Sequence, residues 1–186
     1  GDSSLTGSVY MGGIAGKSDT VSVYGFLGVE KSENRGNLYV KGAKVAIVGG
    51  IFAYTLHLHN FIRCANHGRV EVENVAGSAD VFGLGYVEYD ISKFGGNLNT
   101  GRLRIVGEGN NRIASLLYFR GSSETIVSGS VSLTDSVSIN EELTAGLQFR
   151  IGYLGDIYDK CTFFDKDVMP VDKDSLGWGV STKDLQ

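Results

Sequence analysis

One short stretch gathers the side chains best suited to hold a metal or move a proton: His57, His59, Cys64 and His67. His57 and His59 alternate with Leu56 and Leu58, so a strand would turn both imidazoles to one side. Paired histidines on a strand can ligate zinc. Cys64 and His67 fall past that strand, on another strand or corner, and the spacing matches no zinc pattern. His57 and His59 are therefore the one metal candidate, set against the plainer reading of a partly exposed histidine pair. The plainer reading is preferred, and no cofactor is expected.

Other chemistry is weaker still. Glu71, Glu73, Glu88 and Asp90 are the nearest approach to the paired carboxylates of a sugar-cleaving enzyme. They sit in separate segments, and a short stack leaves little room for a sugar groove. Asp165-Lys166-Asp167 and Asp172-Lys173-Asp174 look like pieces of a calcium loop but lack its glycine and closing glutamate. Gly13-Ile14-Ala15-Gly16-Lys17 fails the spacing of a phosphate loop. Nine tyrosines, Tyr54, Tyr86, Tyr89 and Tyr118 among them, offer faces for sugar rings, with ordinary strand tyrosine as the plainer reading. Seventeen basic against 21 acidic residues give a net charge of −4 with no basic run, so no nucleic-acid footprint is expected. No apolar run approaches the ~20 residues that span a membrane. A secretory leader is expected outside this sequence.

What must position these residues is a repeat. A Gly-Gly-apolar turn stands at Gly12-Gly13-Ile14 and Gly49-Gly50-Ile51, with weaker copies at Phe82-Gly83-Leu84, Ala114-Ser115-Leu116 and Ala145-Gly146-Leu147. Its copies are spaced 37, 33, 32 and 31 residues apart. A second landmark, Asn-x-Gly followed by alternating apolar residues, centres on Gly36, Gly68, Gly101 and Gly129, spaced 32, 33 and 28. Two landmarks sharing a period near 32 indicate an internal repeat.

Within each unit Leu38/Val40, Val70/Val72, Leu103/Ile105 and Val131/Leu133 occupy matching slots, and a period of two puts each pair on one face of a strand. A third strand is expected at Val21/Val23, Leu56/Leu58 and Val87/Tyr89. Such a unit buries its apolar face only by stacking on its neighbours. The expected fold is all-β, a parallel β-solenoid of four to five coils, right-handed by the crossover preference. Repeats would fill 1–151, and 152–186 would form a last coil and a cap, with Phe163, Phe164, Val168, Met169 and Trp178 closing the core.

The glycines are read as corners, and Asn34, Asn66 and Asn99 as turn residues able to bond one another up the stack. Val127 stands at that place in the fourth copy, so a ladder would end there. Cys64 and Cys161 fill the same slot three repeats apart, roughly 14 Å at ~4.8 Å per coil. A disulfide needs Cα atoms within ~7 Å, so both thiols are expected to be unpaired.

The run VGGIFAYTLHLHNFIRCANHGRVEV resembles the GLUG repeat, which carries a Gly-Gly-apolar turn and then Asn-x-Gly-x-Val. The tail, DKCTFFD followed by GVSTKDL, is similar to the segment that closes such arrays. That resemblance implies a secreted or cell-surface module of a larger, bacterial-type adhesin-like protein, without catalytic residues. Its partner would be a host surface protein or a glycan, or it would act as a spacer. The alternative is a carbohydrate-active β-helix enzyme or its sugar-binding accessory.

Overall fold

In the computed structural model the residues described are 7–18, 27–73, 75–120, 127–128, 130–132, 137–143, 150–151, 158–159 and 162–163. Among them there are strands and turns but no helix. The second coil shows a complete unit. Val45–Gly49 enters a tight turn and continues as the eleven-residue strand Phe52–Ile62. A corner at Arg63 leads to the two-residue strand Ala65–Asn66, and a second corner to Val70–Glu73. Ser78–Phe82 then starts the next coil.

Each strand lies beside its equivalents in the neighbouring coils, giving four sheets. The first holds Ser8–Gly12, Val45–Gly49, Ser78–Phe82 and Asn110–Ala114. The second is the widest, built on Phe52–Ile62 and Gly85–Gly95, with Ala15–Ser18 and Leu27–Glu30 below and Leu117–Phe119 above. The third is made of two-residue strands, Glu33–Asn34, Ala65–Asn66, Leu98–Asn99, Val131–Ser132 and Thr162–Phe163. The fourth stacks Leu38–Lys41, Val70–Glu73, Leu103–Val106 and Val137–Ile139. Pairing is parallel except for Glu142–Leu143, which folds back antiparallel on Val137–Ile139. The chain is thus a parallel β-solenoid. Ser8, Val45, Ser78 and Asn110 stand level, with advances of 37, 33 and 32 residues.

Alternation explains the core. Val40, Val72 and Ile105 form one inward file, and Leu38, Val70 and Leu103 another. From the second sheet Leu58, Phe61, Ile91 and Phe94 point in, and Phe61 stacks on Phe94 with centroids 5.5 Å apart and an interplanar angle of 8°. A fully buried phenylalanine of this kind is worth about 3–5 kcal/mol against alanine.

Two sequence alignments shift. Val137 and Ile139 stand level with Leu103 and Ile105, where the sequence spacing predicts Val131 and Leu133; Leu133 lies outside the described residues. Val131 lies one sheet earlier, beside Leu98. The short 28-residue spacing to Gly129 marks this slip: Gly129 lies outside the described residues, between Ser128, paired with Gly95, and Ser130, which accepts a bond from the Asn97 amide. In the second sheet Ile91, not Tyr89, is level with Leu58, because a bulge between Val87 and Asp90 resets the phase. Residues 21–23, Ala145-Gly146-Leu147, Cys161 and the expected cap residues Phe164, Val168, Met169 and Trp178 lie outside the described residues. Two short segments after 151 extend the stack, Tyr158–Asp159 beside Val127–Ser128 and Thr162–Phe163 beside Val131–Ser132.

Candidate functional site

The two repeat landmarks meet inside each coil. Asn34, Asn66 and Asn99 point inward and form a ladder: Asn34 Nδ2 donates to Asn66 Oδ1 at 2.8 Å, and Asn66 Nδ2 to Asn99 Oδ1 at 2.9 Å. Each amide also closes its own corner, as when Asn66 Nδ2 donates to Gly68 O at 3.0 Å. Gly13, Gly50 and Gly83 lie against these amides from across the coil; a methyl group on Gly50 would stand 2.3 Å from Asn66 Cγ. Above Asn99 the level residue is Ser132, not Val127, and its Oγ is buried with no partner among the described residues. Gly36, Gly68 and Gly101 stack at the next corner, where the carbonyl of one coil presses on the following glycine.

The four side chains with ligand chemistry are dispersed by the fold. His57 and His59 lie on the second sheet, Cys64 points into the core, and His67 belongs to the third-sheet face. His57 Nδ1 is 2.8 Å from Asp90 Oδ2, and its ring lies 5.7 Å from that of Tyr89. His67 bridges coils, with Nδ1 2.7 Å from Thr100 Oγ1 and Nε2 3.1 Å from Glu33. The Cys64 thiol donates to Val29 O at 3.4 Å, and burial raises its pKa. Among the described residues no three His, Cys, Asp or Glu side chains converge to hold a metal.

The carboxylates are similarly separated. Glu71 and Glu73 belong to the fourth sheet, Glu88 and Asp90 to the second. Glu73 accepts bonds from Arg104 and from the Tyr39 hydroxyl, which hold its carboxyl below the usual range. Glu88 accepts from the Tyr86 hydroxyl and from Arg120.

What the fold does assemble is an aromatic corner outside the first and second sheets. On the second sheet Lys17, Tyr54, Tyr86 and Tyr118 are level in successive coils. On the first sheet Tyr10, Ile47, Asp80 and Arg112 are level. The turn between the sheets is tight on its outer side, where a methyl group on Gly49 would lie 1.9 Å from Phe52 O. The two rows therefore converge. Tyr86 meets Tyr54 and Tyr118 edge-to-face at 5.1 and 5.0 Å. Ile47, Ala53, Phe82 and Ala114 complete a cluster separate from the core. Phe82 and Ala114 occupy the place of Gly49 because the turn after them is one residue shorter, the offset falling from 33 at Val48–Val81 to 32 at Tyr54–Tyr86.

Cations edge this corner. Lys17 Nζ lies 4.9 Å from the Tyr10 ring, and the Arg112 guanidinium lies 5.3 and 5.0 Å from those of Tyr86 and Tyr118. Arg112 also forks onto Asp80, which is 2 % exposed, with Nε 2.7 Å from Oδ1. The Asp80 hydrogen bonds raise the Arg112 pKa. Burial, then the bond to Glu88, raises that of Tyr86. Farther along the same strand Tyr89 stands 53 % exposed beside His57. The outer side of the second sheet thus carries Tyr54 and Tyr118 half-buried, Tyr86 buried between them and Tyr89 exposed, with an imidazole–carboxylate pair and cations beside them.

Two features escaped the sequence reading. Asp80 and Arg112 carried no motif. Lys31 and Arg63 turn the corner before the third sheet with φ of 50° and 58°, level with Gly96 at 63°; only the glycine advertises that conformation. Comparisons with protein-family models, curated proteins and solved structures returned no match.

Proposed function

We propose that this chain is an adhesive module of a larger extracellular or cell-surface protein, without catalytic activity of its own, and that it contacts a glycan or a host surface protein through the outer face of its second sheet. The observation that carries this reading is the tyrosine row with exposed Tyr89 beyond it. Aromatic rings with polar tips suit the apolar faces and hydroxyl edges of sugars and the hot spots of protein interfaces. The GLUG resemblance supports the extracellular setting and rests on the repeat motifs and the closing tail segment of the sequence. Glu73, Glu88, Asp80 and Asp90 each engage a hydroxyl, an imidazole or a guanidinium, an arrangement that suits scaffolding better than proton transfer.

The test is a glycan array run beside a panel of immobilised extracellular-matrix proteins, with wild type and Tyr89→Ala. Binding that Tyr89→Ala weakens by about tenfold supports the face, since an aromatic anchor carries about 1–3 kcal/mol. Silence in both formats would leave a spacer. The carbohydrate-active alternative keeps one argument, the nearness of Glu88 to the tyrosine row. It would be preferred if the protein released reducing ends from a polysaccharide and Glu88→Gln did not.

A further inference from the structure

The third sheet is narrow, but its corners extend the alternation. From 31 to 37, 63 to 69 and 96 to 102 every second residue turns outward, while Asn34, Cys64, Asn66, Asn97 and Asn99 are buried. The outward positions stack. Lys31 lies below Arg63, because the Lys31 amide bonds Ile62 O and the Arg63 amide bonds Gly95 O. Glu33 pairs with Ala65. Arg69 lies below Arg102, because Leu38 and Val70 donate to their carbonyls in turn. Among the described residues, the outward positions of these three runs therefore collect Lys31, Arg35, Arg63, Arg69 and Arg102 against one carboxylate, Glu33. All five cations are exposed. The net charge of these six is +4 on a chain whose total is −4.

Glu33 is committed to Arg35 at 2.7 Å and to His67 at 3.1 Å. Lys31, Arg63, Arg69 and Arg102 make no ion pair among the described residues. Clustered like charge with no internal partner costs self-repulsion and concentrates counter-ions. Coils rise by ~4.8 Å and each corner-to-corner run covers about 20 Å of backbone, so Lys31 with Arg63 and Arg69 with Arg102 form two stacked cation pairs at the two corners, with Arg35 between.

We propose that this face binds a linear anionic glycan, a polysaccharide bearing carboxylate or sulfate groups at regular intervals. Four of the five cations are arginines, whose planar fork pairs two-to-two with such oxyanions. The one ring at the outward positions of the face is the His67 imidazole, held edge-on between Glu33 and Thr100, so the face has no row of aromatic platforms on which successive unstacked bases could lie, as single-stranded nucleic acid requires. Their one large apolar side chain, Leu98, is partly buried, and the exposed large hydrophobics among the described residues, Ile14, Tyr39 and Tyr89, belong to other positions, so the face has no apolar cluster to enter a bilayer. This site is separate from the second-sheet face and stands if that reading fails.

The experiment measures binding of the whole chain to heparin, a sulfated probe, and to polygalacturonate, a carboxylated one. Dextran, a DNA oligonucleotide and phosphatidylserine vesicles run alongside. Binding to one or both polyanions, weakening as salt rises, and none to dextran is expected. Arg69→Gln with Arg102→Gln should weaken it by about tenfold or more, since two charge-assisted contacts are lost. Lys41→Gln with Lys44→Gln removes the same charge from outside the face and should change it by less than about twofold. Arg63→Gln with Lys31→Gln supplies a second pair on the other corner. Equal losses from the inside and outside pairs, no binding to either polyanion, or tighter binding to DNA or to vesicles would each overturn the proposal. Tyr89→Ala should leave polyanion binding intact, which separates this site from the tyrosine face.

Discussion

Single side chains in this fold act mainly through the coil above or below. Asn66 donates to Gly68 and Asn99 while accepting from Asn34. Asn66→Ala strands buried partners on both sides and should cost about 3 kcal/mol, each unmet group contributing about 1–3. Urea unfolding measures it, and a loss under about 0.5 kcal/mol would show the ladder to be ornamental. Glycines divide sharply by place. A methyl at Gly50 would lie 2.1 Å from Gly83 O, whereas at Gly36 its nearest neighbour is 3.5 Å away. Gly50→Ala is expected to cost more than about 3 kcal/mol and Gly36→Ala less than about 1, read from paired thermal melts. Tyr86 gives a pH signature. Its folded-state pKa is raised, chiefly by burial. Its contribution is fully present below the unfolded value of about 10 and is lost as pH climbs above it. Tyr86→Phe should flatten the fall of stability above about pH 10 relative to wild type; identical alkaline slopes would remove Tyr86 as the cause.

At the level of elements, first and second sheets are joined outside the core by Arg112, which forks onto Asp80 within the first sheet and lies over the Tyr86 and Tyr118 rings of the second. Arg112→Met leaves Asp80 buried without its cation and should cost about 3 kcal/mol, the low end for a broken buried pair because Arg112 is partly exposed. Replacing both, Asp80→Leu with Arg112→Met, should recover most of that loss, and chemical denaturation of the single and double variants tests it. This scale also shows what was legible in the sequence. Leu38/Val40, Val70/Val72 and Leu103/Ile105 announced inward files because alternation is local. The parallel stack followed from the period near 32. The fourth copy misled, since Val127 has the asparagine's spacing in the sequence but lies beside Phe94, while Ser132 fills the asparagine slot. The bulge before Asp90 left no mark in composition. The basic face was invisible for a different reason: Arg63, Arg69 and Arg102 are scattered along the chain, and only coiling makes them neighbours.

For the whole molecule, each coil gains stability from contact with the next, as in a one-dimensional array. Val45–Glu73 and Ser78–Val106 have parallel neighbours on both sides in all four sheets. Their amides should exchange most slowly, with protection near that of global unfolding, while Ser8–Gly12, paired on one side, exchanges faster. Hydrogen-exchange mass spectrometry would report it, and uniform protection from Ser8 to Val106 would refute the nearest-neighbour view. The asparagine ladder carries a further implication for how such a chain can lengthen. Asn34 and Asn66 each hand a hydrogen bond to the asparagine of the coil that follows, so those coils present the same donor upward and the same acceptor downward. A copied stretch from one asparagine to the next therefore arrives with matching ends, and gene duplication in steps of about 32 codons is the change in length that this architecture absorbs without breaking a bond.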